Sequence, residues 1–195
     1  MGAGPLPVAG RGVASVNGVF HRGLKRFVVD EYGREVWDAV RADAGVEPQV
    51  YLPVDARPDR EFISLVEALP AHVDESPFDL LESFGERLAS SLLETYGDRV
   101  VDDDWGAMEL LASVESDVHA PLRRHNEALD PPKLACVREG PDRVRVVYES
   151  SRRLCPVAVG LVRGVGEAFG EALSVTEERC MHRGDERCEL VVARQ

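Results

Sequence analysis

The chain has 195 residues, of which 44% are hydrophobic and 30% are charged, a balance typical of a globular protein and not of a disordered one. Its formal net charge of -12 repels phosphate groups, so we expect neither nucleic acid nor an anionic membrane as a partner. No stretch has the length and apolarity of a transmembrane helix, and the N-terminus lacks a signal-peptide pattern, so we expect a soluble, cytoplasmic protein.

The first part of the chain is predicted to be a tail followed by helices. Residues 1–15 are rich in Gly and Pro and are predicted as a disordered tail or an over-long gene start. Apolar side chains at helical spacing predict two helices within 20–40, separated at Tyr32 and Gly33. An extended, strand-like segment is predicted at 50–54, and a further helix at 60–69.

The middle of the chain predicts two long helices. Ser76 is a good N-cap and Pro77 suits a first helical turn, so a helix is predicted from there to Tyr96 and Gly97. The next helix is predicted at 104–129, because the two prolines that follow forbid its continuation.

The last third of the chain changes from a helical to an alternating period. Strands are predicted at 134–137 and 143–150, a helix at 156–173, and two final strands around 183–185. Helices first and strands later, with one helix between them, predict an α+β fold.

One predicted strand carries a polar row on an otherwise apolar face. Because strand side chains alternate, Val144, Val146, Tyr148, Ser150 and Arg152 are predicted to share one face. Two hydroxyl groups and a guanidinium that face inward need a partner, and a carboxylate ligand would suit them. The alternative is a strand whose arginine leaves the sheet for solvent.

His119 lies beside an apolar helix face formed by Leu111, Val114, Val118 and Leu122. A single histidine in such a place is more often a hydrogen-bonded core residue than a metal ligand, and its own pattern does not decide between the two. His21, among polar neighbours, is predicted to be solvated.

Together, His119 and the row at Tyr148, Ser150 and Arg152 resemble the signature of the H-NOX (haem NO/O2-binding) family, including its bacterial stand-alone members. That signature is a helical histidine followed about thirty residues later by Tyr-x-Ser-x-Arg, and the likeness covers about residues 16–195. It implies a distal helical subdomain at about 16–70 over a larger proximal subdomain at 71–195. The proximal part would hold a mostly antiparallel four-stranded sheet, with haem between the two subdomains.

The resemblance also implies a role for each matching residue. His119 would be the proximal ligand of ferrous haem iron, and Tyr148, Ser150 and Arg152 would hold the propionates. Pro132 would pack against the porphyrin. The chain contains no Cys-x-x-Cys-His sequence, so the haem would be bound non-covalently, as haem b. The distal wall would be formed by Phe20, Leu24, Leu88, Leu92, Val157 and Leu161.

The distal wall bears on which gas would bind. Family members that bind O2 place a tyrosine nine residues after the tyrosine of the motif, where this chain has Val157. An apolar wall offers no hydrogen bond to bound O2, so the resemblance implies that NO and CO bind and that O2 forms no stable complex. In the family, NO weakens the bond between iron and histidine, and the N-terminal helices then shift.

Four cysteines suggest a second site. Cys155, Cys180, His182 and Cys188 form a candidate Cys3His set for tetrahedral zinc. Some bacterial H-NOX proteins resemble this chain here, and their cysteines bind zinc or form disulfides on oxidation. The family's histidine ligand can lie where this chain has Glu177, so the fourth ligand stays open. Cys136 fits this set less well and is predicted to be a small buried apolar residue.

The leading hypothesis is therefore a haem-based NO sensor that regulates a separate partner, which the resemblance implies to be a histidine kinase or a cyclic-di-GMP enzyme. One alternative is a zinc or thiol redox sensor on the same fold. Another is a haem carrier or a haem enzyme. The sequence offers no recognisable catalytic pair, so we expect no enzymatic activity.

Overall fold

The structure is a computed structural model that describes residues 15–195. Its α-helices are α1 (Gly18–Tyr32), α2 (Arg34–Asp43), α3 (Asp59–Ala68), α4 (Pro77–Val100), α5 (Ala107–Ser113), α6 (Ala120–His125) and α7 (Cys155–Ala168). Its strands are β1 (Ser15–Asn17), β2 (Ala56–Pro58), β3 (Lys133–Gly140), β4 (Arg143–Glu149), β5 (Leu173–Arg179) and β6 (Cys188–Arg194). A π-helix (Val114–His119) joins α5 to α6. Within the described residues, no helix is both long and apolar enough to cross a membrane.

The predicted α+β class is confirmed by the sheets. The larger sheet has the order β3-β4-β6-β5, and every neighbouring pair is antiparallel. In β4 the buried residues alternate with outward-facing ones, so that Val144, Val146 and Tyr148 point into the protein. A smaller sheet pairs β1 with β2, and it anchors the start of the described chain beside α3.

Two large hydrophobic clusters fill the interior. The first joins α1, α2 and α3 to α4 and includes Val157 of α7, so it crosses the predicted subdomain boundary at residue 70. The second lies between the large sheet and the helices α5 and α7. The division into distal and proximal subdomains remains a prediction.

Glycines allow the backbones of α4 and α7 to lie in direct contact. A Cβ atom on Gly160 would lie 1.9 Å from the carbonyl oxygen of Glu82, and one on Gly85 would lie 2.3 Å from that of Val157. Both positions therefore require the absence of a side chain. The close approach brings the side chains of the two helices into the first hydrophobic cluster.

The prediction of one continuous helix at 104–129 is wrong. The structure divides it into α5, the π-helix and α6, and it ends at His125. Pro121 explains the irregularity, because its nitrogen carries no hydrogen to donate to the preceding turn. A π-helical turn accommodates such a break, and π-helical turns are frequent at functional sites.

Other predicted boundaries also move. The segment at 50–54 is not a strand: Val50 and Val54 are about four-fifths exposed, Tyr51 is buried, and the strand forms later as β2. The helix predicted to end at Gly97 continues to Val100, since one glycine costs a helix only about 1 kcal/mol. The helix predicted to reach residue 173 ends at Ala168, ahead of the left-handed Gly170.

The predicted disordered tail can be checked only at its last residue. Ser15 pairs with Pro58 in the small sheet, so the prediction is wrong at this position. The rest of the predicted tail, 1–14, lies outside the described residues.

Candidate functional site

His119 is the last residue of the π-helix, and its ring is largely buried. Within residues 15–195 its Nδ1 atom is buried and has no hydrogen-bond partner. Burial lowers the pKa of the imidazole to about 4. The Glu115 carboxylate acts in the opposite direction and raises this pKa, and Arg123 lowers it by less than burial does. At neutral pH the ring is therefore uncharged, and a neutral imidazole nitrogen is able to bind a metal.

Glu115 lies one helical turn before His119, and sequence reasoning did not single it out. Its Oε2 atom lies 3.6 Å from Nδ1 of His119 and accepts a hydrogen bond from the backbone N–H of Leu134 at 3.3 Å. Its Oε1 atom pairs with the guanidinium of Arg123. The i,i+4 spacing of Glu115 and His119 is a signal that the sequence did contain.

Pro132 lies just before β3, and its backbone is close enough to the His119 ring to raise the pKa of the imidazole, against the larger lowering by burial. The structure therefore brings together two residues that the sequence analysis assigned to one site, although they are 13 positions apart.

Tyr148, Ser150 and Arg152 are also neighbours, but they do not form one straight row. Strand β4 ends at Glu149, and a turn closed by the Arg153 N–H and the Ser150 carbonyl follows. The predicted alternation up to Arg152 is thus wrong after residue 149. Tyr148 is buried, and burial raises the pKa of its hydroxyl to about 12. The Arg152 backbone N–H donates to Oγ of Ser150 at 3.3 Å.

The turn directs the Arg152 guanidinium to a carboxylate. Its Nε and Nη2 atoms each donate to one oxygen of Asp59, both at 2.9 Å, and the Arg152 side chain is only 9% exposed. Its Nη1 atom donates to the backbone carbonyl of Asp130. Asp59 begins α3, so this two-pronged ion pair joins the end of β4 to the N-terminal helices.

The predicted distal wall is one continuous apolar region. All six of its residues, which come from α1, α4 and α7, belong to the first hydrophobic cluster: Phe20, Leu24, Leu88, Leu92, Val157 and Leu161. Their side chains contain no hydrogen-bond donor.

A second group of candidate ligands consists of three buried thiols. The sulfur atoms of Cys155, Cys180 and Cys188 lie within 4.8 Å of one another, and those of Cys155 and Cys180 are 3.9 Å apart. Burial raises the pKa of Cys155 and of Cys188, so both thiols are protonated at neutral pH in the absence of a metal. Tyr148 and Met181 pack in the same small cluster, which connects it to the end of β4.

The structure does not bring the other proposed zinc ligands to these thiols. His182 is exposed; its Nε2 atom lies 2.8 Å from the Arg153 carbonyl, and its ring packs edge-on against Phe78. Neither His182 nor Glu177 belongs to the group of converging ligand atoms found among the described residues. Cys136 lies apart from this group and packs against the second hydrophobic cluster.

The described chain is an α+β domain with a buried neutral histidine, a continuous apolar region and an arginine that binds a carboxylate through two nitrogen atoms, features that suit a small ligand-binding domain. The sequence profile of the haem-NO-binding family matches residues 17–177, and the chain belongs to this family of haem-based gas sensors. No curated protein sequence matches the chain.

Solved structures of H-NOX proteins share the fold. An H-NOX protein from S. oneidensis in the Fe(II)NO ligation state is 23% identical, with a TM-score of 0.83, and the match covers 92% of this chain and 99% of that one. The Fe(II) unliganded H-NOX protein from K. algicida is 21% identical, with a TM-score of 0.79, and the match covers 92% of this chain and 97% of that one. A mutant of the T. Tengcongensis H-NOX protein is 21% identical, with a TM-score of 0.79, and the match covers 92% of this chain and 98% of that one.

Proposed function

We propose that the protein is an NO sensor in which His119 is the proximal ligand of a non-covalently bound haem b. The observation that carries the proposal is the buried, uncharged His119 ring with an unpartnered Nδ1 atom among the described residues, at the position where the family signature has its histidine. His21 is also buried and unpartnered among these residues, but it lies outside that signature. A buried polar atom without a partner costs free energy, so its retention is favoured where the ring has a function. When bound, the haem supplies a ferrous iron that takes up a diatomic gas.

The contacts of Arg152 support its proposed role with Tyr148 and Ser150 in holding the propionates. Its guanidinium already binds the Asp59 carboxylate through two nitrogen atoms, and a propionate presents the same planar pair of oxygens. In this proposal Arg152 exchanges Asp59 for a propionate, or holds both, when haem enters. Pro132 would contact the porphyrin from the side of His119.

The proposed gas is NO, with CO as a second ligand and no stable O2 complex. Bound O2 is polar and is stabilised by a hydrogen-bond donor, whereas the six proposed wall residues form an apolar region without one. We further propose that the output of the sensor passes to a separate cytoplasmic partner, a histidine kinase or a cyclic-di-GMP enzyme. The domain itself would be a regulator and not an enzyme.

An absorption spectrum of the reduced protein tests this proposal. Ferrous protein loaded with haem should show distinct Soret bands with NO and with CO and should form no stable oxygen complex in air. His119→Ala should lose the spectrum of histidine-ligated haem, while His125→Ala, an exposed histidine on the next helix, should not. An oxygen complex that persists in air would contradict the choice of gas. An unchanged spectrum in His119→Ala would contradict the ligand.

The three buried thiols favour a second candidate function, a zinc or thiol redox sensor on the same fold. Tetrahedral zinc with bonds of about 2.3 Å holds neighbouring sulfur atoms about 3.8 Å apart, close to the 3.9 Å between Cys155 and Cys180. A fourth ligand would have to come from His182, after it leaves the Arg153 carbonyl, from Glu177, or from solvent.

Metal analysis of reduced protein separates this candidate from the first. We expect about one zinc per chain, lost in Cys155→Ser and retained in Cys136→Ser, the matched control outside the group. His119→Ala should abolish the response to NO and leave a thiol-dependent response intact. Zinc well below one per chain in carefully reduced wild-type protein would argue against a metal at these thiols.

A further inference from the structure

The Nδ1 atom of His119 faces one specific acceptor. Glu115 presents its Oε2 atom at 3.6 Å, from a position four residues earlier on the same π-helix. That separation is a little longer than a hydrogen bond, so closing it requires a movement of less than about 1 Å. The pair is shielded, because the side chains of His119 and Glu115 are 16% and 30% exposed.

Two neighbours hold the Glu115 carboxylate in place. The Leu134 N–H donates to Oε2, and Arg123 pairs with Oε1. An ionised carboxylate has about four acceptor positions, so both oxygens can take further bonds. Arg123 is itself partly buried, and its Nη1 atom has no partner among the described residues. Its positive charge therefore acts on Glu115 with little screening by solvent.

The position of the single ring hydrogen of His119 determines which nitrogen needs a hydrogen-bond acceptor. Because Nδ1 faces Glu115, the other ring nitrogen, Nε2, is the one left to bind a metal. A neutral imidazole carries only one hydrogen. If Nε2 becomes a metal ligand, the hydrogen must move to Nδ1, where Glu115 is the acceptor that faces it.

We infer that Glu115 is a positioning residue for His119, accepting the Nδ1 hydrogen and strengthening the ring as an iron ligand, and that Arg123 limits this effect by drawing on the same carboxylate. The inference rests on the proposed role of His119. A carboxylate that accepts a hydrogen bond from a ligating histidine fixes its tautomer and raises its basicity. In this chain the pair Glu115 and Arg123 would set how readily NO breaks the bond between iron and His119.

Two substitutions separate this role from a merely structural one. Glu115→Gln keeps an acceptor for the Leu134 N–H but removes the charge, so the iron–histidine stretching frequency should fall and haem should dissociate roughly 10- to 100-fold faster. Arg123→Met frees the carboxylate for His119, so the frequency should rise. Both substitutions break the same ion pair, so a structural role would shift both variants in the same direction. Arg124→Met, which removes an exposed charge from the same helix, is the control and should leave the frequency unchanged.

Resonance Raman spectra of the ferrous proteins, together with the fraction of the NO-bound form that has lost its bond to His119, give the result. That fraction should increase in Glu115→Gln and decrease in Arg123→Met, while thermal unfolding of the haem-free proteins reports any loss of fold. Frequencies that stay unchanged, or that move in the same direction in both variants, would overturn the inference and leave the proposed function standing. A wild-type spectrum without any iron–histidine band would overturn the proposed function as well.

Discussion

The close contact between α4 and α7 gives the sharpest stability prediction. A Cβ atom added at Gly160 would lie 1.9 Å from the Glu82 carbonyl oxygen, 2.8 Å from its carbon and 2.9 Å from the Glu86 nitrogen. All three neighbours are backbone atoms, so no side chain can rotate away. Since contacts below 3.0 Å are essentially never seen, Gly160→Ala must separate the helices by about 1 Å.

The magnitude follows from two opposing contributions. Overpacking of this kind costs up to about 3 kcal/mol, and the higher helix propensity of alanine returns about 1 kcal/mol. We therefore expect Gly160→Ala to lower the free energy of unfolding by about 2 kcal/mol, which for a chain of this size lowers the melting temperature by about 4–8 °C. Helices α4 and α7 also carry four of the proposed distal-wall residues, so haem affinity should fall in the same variant.

Urea and thermal unfolding of the haem-free proteins provide the assay, and Gly97→Ala provides the control. Gly97 also lies in α4, but in the described structure nothing lies within 4 Å of its added Cβ. The same substitution there should stabilise the protein by up to about 1 kcal/mol. A Gly160→Ala protein as stable as wild type, or a change in the same direction in both variants, would refute the predicted backbone clash.

Two further predictions concern buried charge. His21 is fully buried, and burial lowers the pKa of its imidazole from 6.5 to about 4, so between these values the unfolded chain binds a proton that the folded chain excludes. The free energy of unfolding should thus fall on acidification below about pH 6.5, and His21→Gln should remove up to about 3 kcal/mol of this loss. Urea unfolding at several pH values measures it, and an equal dependence of stability on pH in wild type and variant would contradict it. Arg152→Lys replaces a two-pronged donor by a point charge, so haem transfer to an acceptor protein should become roughly tenfold faster, equivalent to about 1.4 kcal/mol. A transfer rate equal to that of an Arg124→Lys control would contradict the proposed role of Arg152 in holding the propionates.

The sequence was sufficient for the fold class and for most elements. The alternation along β4 predicted which side chains are buried, and Ser76 with Pro77 predicted the start of α4. These features depend on residues that are close in the chain, so their spacing records them directly. His21 was predicted to be solvated from its polar neighbours in sequence, which is wrong, because in the folded chain its ring stacks on Tyr51 and contacts Phe62.

By itself, the sequence determined the family, through the spacing of His119 and the motif that begins at Tyr148, and it determined which cysteines could act together. Only the tertiary structure decided that Arg152 binds Asp59, 93 positions away, that three thiols converge without His182, and that Glu115 faces Nδ1 of His119. Periodicity reports which face of an element is buried, but not which other element covers that face. The partners of buried polar groups are set by how helices and strands pack together, and that packing depends on contacts between distant parts of the chain.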